Sequence, residues 1–268
     1  MITLDGVSVR YAGGTALHNT SIKLTKGECT VLLGHSGAGK TTLLRCINLL
    51  TEPSSGIVSI SGIGPLKDRH SIAKHRHQTA MIFQQHQLIG RHNALQNVMV
   101  GRLGYHGTLR SLFPLSNEEQ RLGLESLERV GLLHKAMERV DRLSGGEQQR
   151  VGVARMLVQK PQIILADEPV ASLDPGTARR IMGMLREICK EQQLTAVVSL
   201  HQVELAQTFA DRMIGLKGGR IIFDGRPAEL LNPTLRSIYE TTGQKDEALD
   251  VLTDDREMYL PEAVGFMN

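Results

Sequence analysis

The chain has 268 residues, of which 41% are hydrophobic and 22% are charged, and its formal net charge is +3. This balance is typical of a globular protein with a sizeable core and excludes a disordered chain. The length indicates one large domain or about two smaller ones. Aromatic residues make up only 3% of the chain, and no dense basic patch is visible. These features disfavour a dedicated nucleic-acid-binding protein.

Cysteine usage and hydropathy bear on the compartment. Cys29, Cys46 and Cys189 are odd in number and widely spaced, which argues against a disulfide framework and favours a reducing environment. No stretch approaches the roughly 18 apolar residues of a transmembrane helix. The first residues also lack the basic and then apolar pattern of a signal peptide. We therefore expect a cytoplasmic protein.

The first sixty residues alternate between strand-like and turn-like segments. Two alternating segments around a glycine turn predict a hairpin. A buried strand, a glycine-rich loop, a helix and another strand are predicted to follow. In chain order these segments are Ile2–Val9, Ser21–Leu24, Cys29–Leu33, Gly34–Lys40, Thr41–Leu50 and Gly56–Ser61.

A basic, histidine-rich stretch comes next and contains His70, His75 and His77 together with Lys74 and Arg76. A metal site is one interpretation, but no neighbouring carboxylate or cysteine completes a ligand set. We therefore predict a solvated loop here. The β-like segment Ala80–Phe83 follows it.

The second half begins with amphipathic helical patterns and then alternates between strands and helices. A helical subdomain at about residues 88–145 is predicted, with a helix at Glu118–Val130 that Ser116 can cap. The later alternation predicts a parallel sheet with crossover helices. Its segments are Gly146–Val158, Ile163–Ala166, Thr177–Glu191, Thr195–Leu200, Val203–Ala210, Arg212–Leu216 and Arg220–Phe223. A polar tail with weak helical periodicity begins at about Arg226.

The glycine-rich loop matches the pattern G-x-x-x-x-G-K-[ST] between a predicted strand and helix. Its N–H groups and the positive end of the helix can hold phosphate oxygens. Lys40 would reach the β- and γ-phosphates of a nucleotide, and Thr41 would bind Mg²⁺. The alternative is an ordinary glycine-rich turn. The predicted phosphate ligands are Gly34, His35, Ser36, Gly37, Ala38, Gly39, Lys40, Thr41 and Thr42.

Two acidic residues, Asp167 and Glu168, end the predicted strand Ile163–Ala166. Ligands of open parallel sheets bind at the carboxyl ends of the strands. Asp167 is then a ligand for Mg²⁺, and Glu168 is the candidate base for the attacking water. The alternative is a strand that ends in a solvated acidic turn before Pro169.

The segment Leu143–Arg150 reads LSGGEQQR, and here the chain resembles the ATP-binding cassette family, the ATPases of ABC transporters. Ser144, Gly145 and Gly146 begin a predicted helix, which is a second potential anion site. The resemblance implies that this signature covers ATP held by another subunit, in a head-to-tail dimer with two ATP molecules. The alternative is a plain helix cap.

The resemblance also implies roles for four further residues. Tyr11 would stack on adenine, Gln84 would contact Mg²⁺ and the attacking water, and His201 would contact the γ-phosphate. Asp174 would lie in a loop that crosses the dimer interface, although it can also cap the following helix. The resemblance covers roughly residues 1–225, which we take as an ATPase domain, and leaves 226–268 as a C-terminal tail. It implies a P-loop α/β core with an antiparallel β-subdomain and an inserted helical subdomain.

Several segments resemble the phosphonate-importer branch of the family, among them Val100–Gly104, Thr108–Leu112 and Ala166–Pro175. This resemblance implies a homodimer of cassettes beneath two membrane permease subunits, at the cytoplasmic face of the inner membrane. An extracytoplasmic binding protein would choose the cargo. Phosphonate, phosphate, phosphite and other oxyanions all stay open as substrates.

Three alternatives to an importer ATPase differ in what they require of the sequence. An export or lipid-transport cassette shares the catalytic motifs. A soluble cassette acting on DNA or ribosomes needs a long coiled-coil insertion or two phosphate loops, and the sequence has neither. A non-hydrolysing structural cassette is disfavoured because Lys40, Asp167, Glu168 and His201 are all present.

Overall fold

The computed structural model describes residues 1–83, 87–105 and 116–239. Strands and helices alternate along most of this length, and short 3₁₀ turns join some of them. The strands are β1 (Ile2–Tyr11), β2 (Gly14–Leu24), β3 (Cys29–Leu33), β4 (Ser55–Ile60), β5 (Gly64–Pro65), β6 (Thr79–Ile82), β7 (Ile163–Asp167), β8 (Thr195–Ser199), β9 (Arg212–Lys217) and β10 (Arg220–Gly225). The helices are α1 (Lys40–Ile47), α2 (Arg69–Gln78), α3 (Ala94–Met99), α4 (Asn117–Arg129), α5 (Gly145–Val158), α6 (Pro175–Gln192), α7 (Val203–Phe209) and α8 (Asn232–Tyr239).

The strands form two sheets. The first is antiparallel, with the order β2-β1-β4-β5. The second has the order β10-β9-β3-β8-β7-β6 and is parallel from β9 to β6. Every residue of β3, β7 and β8 is buried, as expected for parallel strands with both faces covered. Because these strands are neighbours, their carboxyl ends lie side by side at one edge of the sheet.

Helix α1 connects the two sheets. It contacts β1 and β2 of the antiparallel sheet and β7 and β8 of the parallel sheet. Leu44 and Ile47 on this helix are fully buried in a core that includes Leu4 and Leu32. Burial of such side chains contributes about 1.5–3 kcal/mol each. The helix that follows the glycine-rich loop is therefore held firmly on both sides.

The helical region between β6 and β7 packs as a bundle. Helices α3 and α4 contact each other and α5, around a core that includes Val98, Leu127 and Leu132. Ser116 caps α4, because its Oγ accepts the Glu119 N–H while the Glu119 carboxylate accepts the Ser116 N–H. The predicted capping residue is thus the observed one.

The prediction of a solvated histidine-rich loop is wrong, because this stretch forms helix α2. Asp68 and Ser71 build a capping box at its start. His75 is fully buried, with Nε2 2.8 Å from the Ile47 carbonyl and Nδ1 3.3 Å from Thr79 Oγ1. The inward-facing positions are Ser71 and His75, so no apolar period marks the helix in the sequence. Among the residues that the structure describes, no group of three or more His, Cys, Asp or Glu side chains could hold a metal ion.

The chain beyond β10 continues along the main core. Leu235, Ile238 and Tyr239 of α8 are buried in the same core as the helical bundle. Within residues 1–83, 87–105 and 116–239, no helix is long and apolar enough to span a bilayer.

Candidate active site

The predicted phosphate loop lies between β3 and α1, at the carboxyl edge of the parallel sheet. All three of its glycines, Gly34, Gly37 and Gly39, have positive φ angles, which other residues rarely adopt. Gly34 has a φ of +150°, and a Cβ there would lie 2.4 Å from the Leu216 carbonyl oxygen. Gly39 has a φ of +104° immediately before the first residue of α1. The loop can therefore wrap closely around the N-terminus of the helix, where an anion is favoured.

Lys40 holds the centre of this loop. Its Nζ donates to the Gly34 carbonyl at 2.7 Å and to the His35 carbonyl at 3.2 Å. The side chain is only 4% exposed. Burial lowers the pKa of Lys40, and the charges of Glu168 and Asp167 oppose that shift. The geometry places a cation under the loop, where it can meet phosphate oxygens.

Asp167 and Thr41 bring two oxygen ligands together across the sheet edge. Thr41 Oγ1 donates to Asp167 Oδ1 at 3.0 Å. Ser199 Oγ donates to the same oxygen at 2.8 Å and accepts the Glu168 N–H at 2.9 Å. Carboxylate and hydroxyl oxygens are the hard ligands that Mg²⁺ takes alongside substrate phosphates, so these residues fit that ion. Sequence reasoning missed Ser199, although it ends β8 just before the strand-end histidine.

Glu168 lies at a strained turn directly after β7. Its φ is 49°, in the left-handed region that is uncommon for residues other than glycine, and such strain often accompanies functional sites. Its carboxylate hydrogen-bonds His201 Nε2 and lies 3.9 Å from Lys40 Nζ. The side chain is 11% exposed, against 41% for His201. The carboxylate thus faces the phosphate loop from the end of β7, with the end of β8 between them.

One open cavity of about 390 Å³ joins these groups. The site prediction missed Ala16 of β2, which lines this cavity; no turn or charge signal marks it. Three of the predicted site residues do not line the cavity: Gly34, His35 and Asp167. They hydrogen-bond Lys40 or Thr41, which do line it. The lining residues are Ala16, Ser36, Gly37, Ala38, Gly39, Lys40, Thr41, Thr42, Glu168 and His201.

Tyr11 and Gln84 are placed differently from the cavity residues. Tyr11 is 48% exposed, with its hydroxyl 3.5 Å from Thr51 Oγ1, and it does not line the cavity. Gln84 lies outside the described residues, as does the predicted importer segment Thr108–Leu112. The roles of both residues stay predictions.

The signature segment begins α5 on an exposed part of the surface. Ser144 is the N-cap, and its N–H donates to Glu147 Oε2 at 2.9 Å. The ammonium of Lys135 lies 2.6 Å from Glu147 Oε1 and, with the Ser144 hydrogen bonds, lowers the pKa of Glu147 to about 2. Gly146 approaches the start of α6, where a Cβ would lie 2.9 Å from Thr177 Cγ2.

Asp174 lies beside the signature and caps α6. Its Oδ1 accepts the Thr177 N–H at 3.0 Å. Hydrogen bonds from the Thr177 hydroxyl and from this N–H lower the pKa of the Asp174 carboxyl. A Cβ on Gly145 would lie 3.8 Å from the Leu173 side chain, so the two segments adjoin. None of Ser144, Gly145, Gly146 and Asp174 lines the cavity of their own chain.

Comparisons with known proteins show the family to which the chain belongs. A family profile with the description ABC transporter matches residues 17–171. The chain is 58% identical to a phosphonates import ATP-binding protein (PhnC 1) of Trichodesmium erythraeum, over 90% of this chain and 96% of that protein. It is 57% identical to a phosphite import ATP-binding protein (PxtA) of Stutzerimonas stutzeri, over 89% of this chain and 87% of that protein.

A solved structure of an ATP-binding cassette is also similar. That cassette is dimeric, in a post-hydrolysis state bound to ADP and Pi. It is 35% identical to this chain with a TM-score of 0.75, over 85% of this chain and 99% of that one. The fold predicted from the sequence and the family resemblance are thereby confirmed.

Proposed function

The chain belongs to the ABC transporter family, and we propose that it is the ATP-hydrolysing subunit of an importer for phosphonate or a related phosphorus oxyanion. One observation carries the enzymatic part of this proposal. The phosphate loop, Lys40, Glu168 and His201 line a single cavity, with the Thr41–Asp167 pair beside it. The oxyanion part rests on the phosphonate and phosphite importers to which the chain is similar.

The arrangement supports direct attack of water on the γ-phosphate of ATP. The loop N–H groups and Lys40 bind the β- and γ-phosphates and stabilise the charge that develops on them. Glu168 accepts a hydrogen bond from the attacking water and takes its proton as the bond to phosphorus forms. The His201 imidazole, which contacts the Glu168 carboxylate, orients the γ-phosphate from the side of that carboxylate. The bond between the γ-phosphorus and the β–γ bridging oxygen breaks, so ADP leaves with that oxygen and inorganic phosphate is the other product.

Mg²⁺ is the metal that these residues suit. Thr41 and Asp167 would hold it, with Gln84 as the additional ligand that the resemblance implies. When bound, the ion neutralises charge on the phosphates. The chain itself keeps the two ligands together, because Ser199 donates to Asp167 Oδ1 beside Thr41.

A homodimer would complete each site. The signature and Asp174 adjoin one another but lie away from the cavity of their own chain. The N-terminus of α5 presents N–H groups that can bind an anion. In a two-fold dimer the same surfaces meet twice, so Ser144, Gly145 and Gly146 of one subunit can cover ATP on the other. ATP binding then favours the closed dimer, and hydrolysis favours reopening.

The helical region offers a surface for the membrane permease. An open groove of about 270 Å³ lies between the end of α1, β6, the Val100–Tyr105 turn and α5. Met81, Phe83 and Met156 give it apolar walls, and Arg155 and Gln159 give it polar ones. A helix of each of two permease subunits would dock there, at the cytoplasmic face of the cell membrane. An extracytoplasmic binding protein would deliver the oxyanion.

Two measurements test the proposal. The purified chain should hydrolyse ATP in the presence of Mg²⁺, and Lys40→Ala should abolish that turnover. Proteoliposomes with the cognate permease and binding protein should then take up methylphosphonate or phosphite only with ATP on the cassette side. Uptake of phosphate, without uptake of methylphosphonate or phosphite, would support the ATPase assignment and change the proposed substrate. Absence of ATP turnover in the wild-type chain would contradict the function itself.

A further inference from the structure

Helix α8 is seated on the parallel sheet directly beside the phosphate loop. Gly215 of β9 has no room for a side chain, since a Cβ there would lie 2.4 Å from Ile238 Cδ1. Gly215 is also the register partner of Leu33, the last residue before the loop begins at Gly34. Ile238 is fully buried. This close contact brings the next residue, Tyr239, over the start of the loop.

The Tyr239 hydroxyl connects two main-chain segments of the active site. It donates to the His201 carbonyl at 3.2 Å, and its oxygen accepts from the Gly34 N–H. Gly34 in turn accepts the 2.7 Å hydrogen bond from Lys40. His201 carries the imidazole that contacts Glu168. One hydroxyl therefore joins the main chain at Gly34, the first residue of the phosphate loop, to the main chain at His201.

The environment of Tyr239 keeps this hydroxyl in its donating form. The side chain is 7% exposed, and burial raises the pKa of Tyr239 to about 12, against a smaller opposing effect of the Gly34 hydrogen bond. The hydroxyl thus stays protonated at neutral pH. A phenylalanine ring would fill the same space, so packing of α8 alone does not require the oxygen.

We propose that Tyr239 is a positioning residue for ATP hydrolysis, whose hydroxyl holds the His201 peptide and so keeps the imidazole against Glu168. This inference rests on the proposed function. The His201 side chain is 41% exposed, so its packing alone constrains it weakly. Its position is set by the main chain from which it projects and by its contact with Glu168. Displacement of a catalytic group by about 1 Å can slow a reaction by about 10²-fold.

The test compares two Tyr→Phe variants of the full chain. Tyr239→Phe removes the hydroxyl that reaches His201. Tyr105→Phe is the matched control, because the Tyr105 hydroxyl also donates to a backbone carbonyl, that of Gln159 in the helical region. Steady-state ATP turnover is measured for both at 25 °C, and each rate is divided by the folded fraction from circular dichroism.

We expect Tyr239→Phe to lower kcat by roughly tenfold, the range expected for losing one buried hydrogen bond. The KM for ATP should change by less than about twofold, since Lys40 and the loop amides still bind the nucleotide. Tyr105→Phe should keep the wild-type kcat. In a His201→Ala background, Tyr239→Phe should lower kcat no further, because Tyr239 acts through the His201 imidazole.

Three results would overturn this inference. They are an unchanged kcat in Tyr239→Phe, an equal loss in Tyr105→Phe, and the same fold-loss with and without His201. A wild-type chain without ATP turnover, or normal turnover in Lys40→Ala, would instead contradict the proposed function, on which the inference depends. The wild-type and Lys40→Ala measurements therefore separate the two failures.

Discussion

The Lys40 ammonium lies 3.9 Å from the Glu168 carboxylate, at the meeting point of the phosphate loop and the end of β7. The same ammonium donates to two loop carbonyls. The cation that would bind phosphate and the carboxylate that would activate water are thus already close together. Bound phosphates would compete with these carbonyls and with Glu168 for the ammonium, which would leave the carboxylate available to water.

We predict that Lys40→Ala lowers ATP turnover by at least about 10²–10³-fold, the usual effect of removing one charge-stabilising donor from a site. No other lysine or arginine lines this cavity in the described part of the chain. Steady-state phosphate release measures the effect. The control is Lys74→Ala on the exposed face of α2, which should keep the wild-type rate. Near-normal turnover in Lys40→Ala would remove the phosphate-loop assignment.

We predict that the signature acts on ATP bound to the other subunit. A mixed dimer of one Lys40→Ala chain and one Ser144→Arg chain then has both lesions in one composite site and keeps the other site intact. It should bind about one ATP per dimer, measured with labelled nucleotide and tagged chains.

The matched control for this mixed dimer places both substitutions in one chain and pairs it with a wild-type chain. If the signature acts between subunits, each composite site then carries one lesion and no intact site remains. If it acts within its own chain, this control dimer keeps one intact site and the first mixed dimer keeps none. The pair of measurements thus distinguishes the two arrangements without reference to absolute rates.

We predict that buried His75 makes the fold sensitive to acid. It hydrogen-bonds the last carbonyl of α1, and burial lowers its pKa. The unfolded chain therefore binds a proton more readily, so its contribution to stability is present above about pH 6.5 and is lost as the pH falls below that value. His75→Gln should cost about 1–3 kcal/mol at pH 7.5 and flatten this dependence.

The measurement for His75 is the free energy of unfolding in urea at pH 7.5 and pH 5.5. His70→Gln serves as the control, because His70 is exposed on the same helix. It should leave both the stability and its change with pH close to those of the wild type. Equal pH dependence in wild type and His75→Gln would contradict the assignment.

The sequence predicted those parts of the site that depend on consecutive residues. The loop from Gly34 to Thr41 requires a local backbone shape, which its glycines permit. The strand Ile163–Asp167 is a continuous apolar run with an acidic end. Parallel alternation then implied that the loop and the acidic end share one edge of the sheet, because carboxyl ends of adjacent parallel strands align.

The sequence did not predict contacts between polar residues that are far apart in the chain. His75 reaches Ile47, Ser199 reaches Asp167, and Tyr239 reaches His201. His75 and Ser199 face inward without contributing to an apolar period, and the apolar period that includes Tyr239 does not reveal where its hydroxyl binds. Their partners are fixed only once the sheets and helices have packed.

We predict that Glu168→Gln stops ATP hydrolysis but not ATP binding. Glutamine keeps the size of the side chain but loses the charge and the basicity that take a proton from water. Loss of a general base typically slows a reaction by about 10²–10⁴-fold, and we expect turnover to fall within that range. Nucleotide binding should survive, because Lys40, Thr41 and Asp167 are unchanged. ATP should then hold two chains in a closed dimer that cannot hydrolyse its nucleotide.

Size-exclusion chromatography with light scattering in ATP and Mg²⁺ tests this expectation. Glu168→Gln should shift towards about twice the monomer mass, and removal of ATP or chelation of Mg²⁺ should reverse the shift. Asp167→Asn is the contrasting variant: Asp167 accepts the Thr41 and Ser199 hydroxyls, so its loss should weaken Mg²⁺ binding and closure as well as chemistry. If Glu168→Gln hydrolyses ATP at the wild-type rate, Glu168 is not the base, and the attack on the γ-phosphate depends on another group.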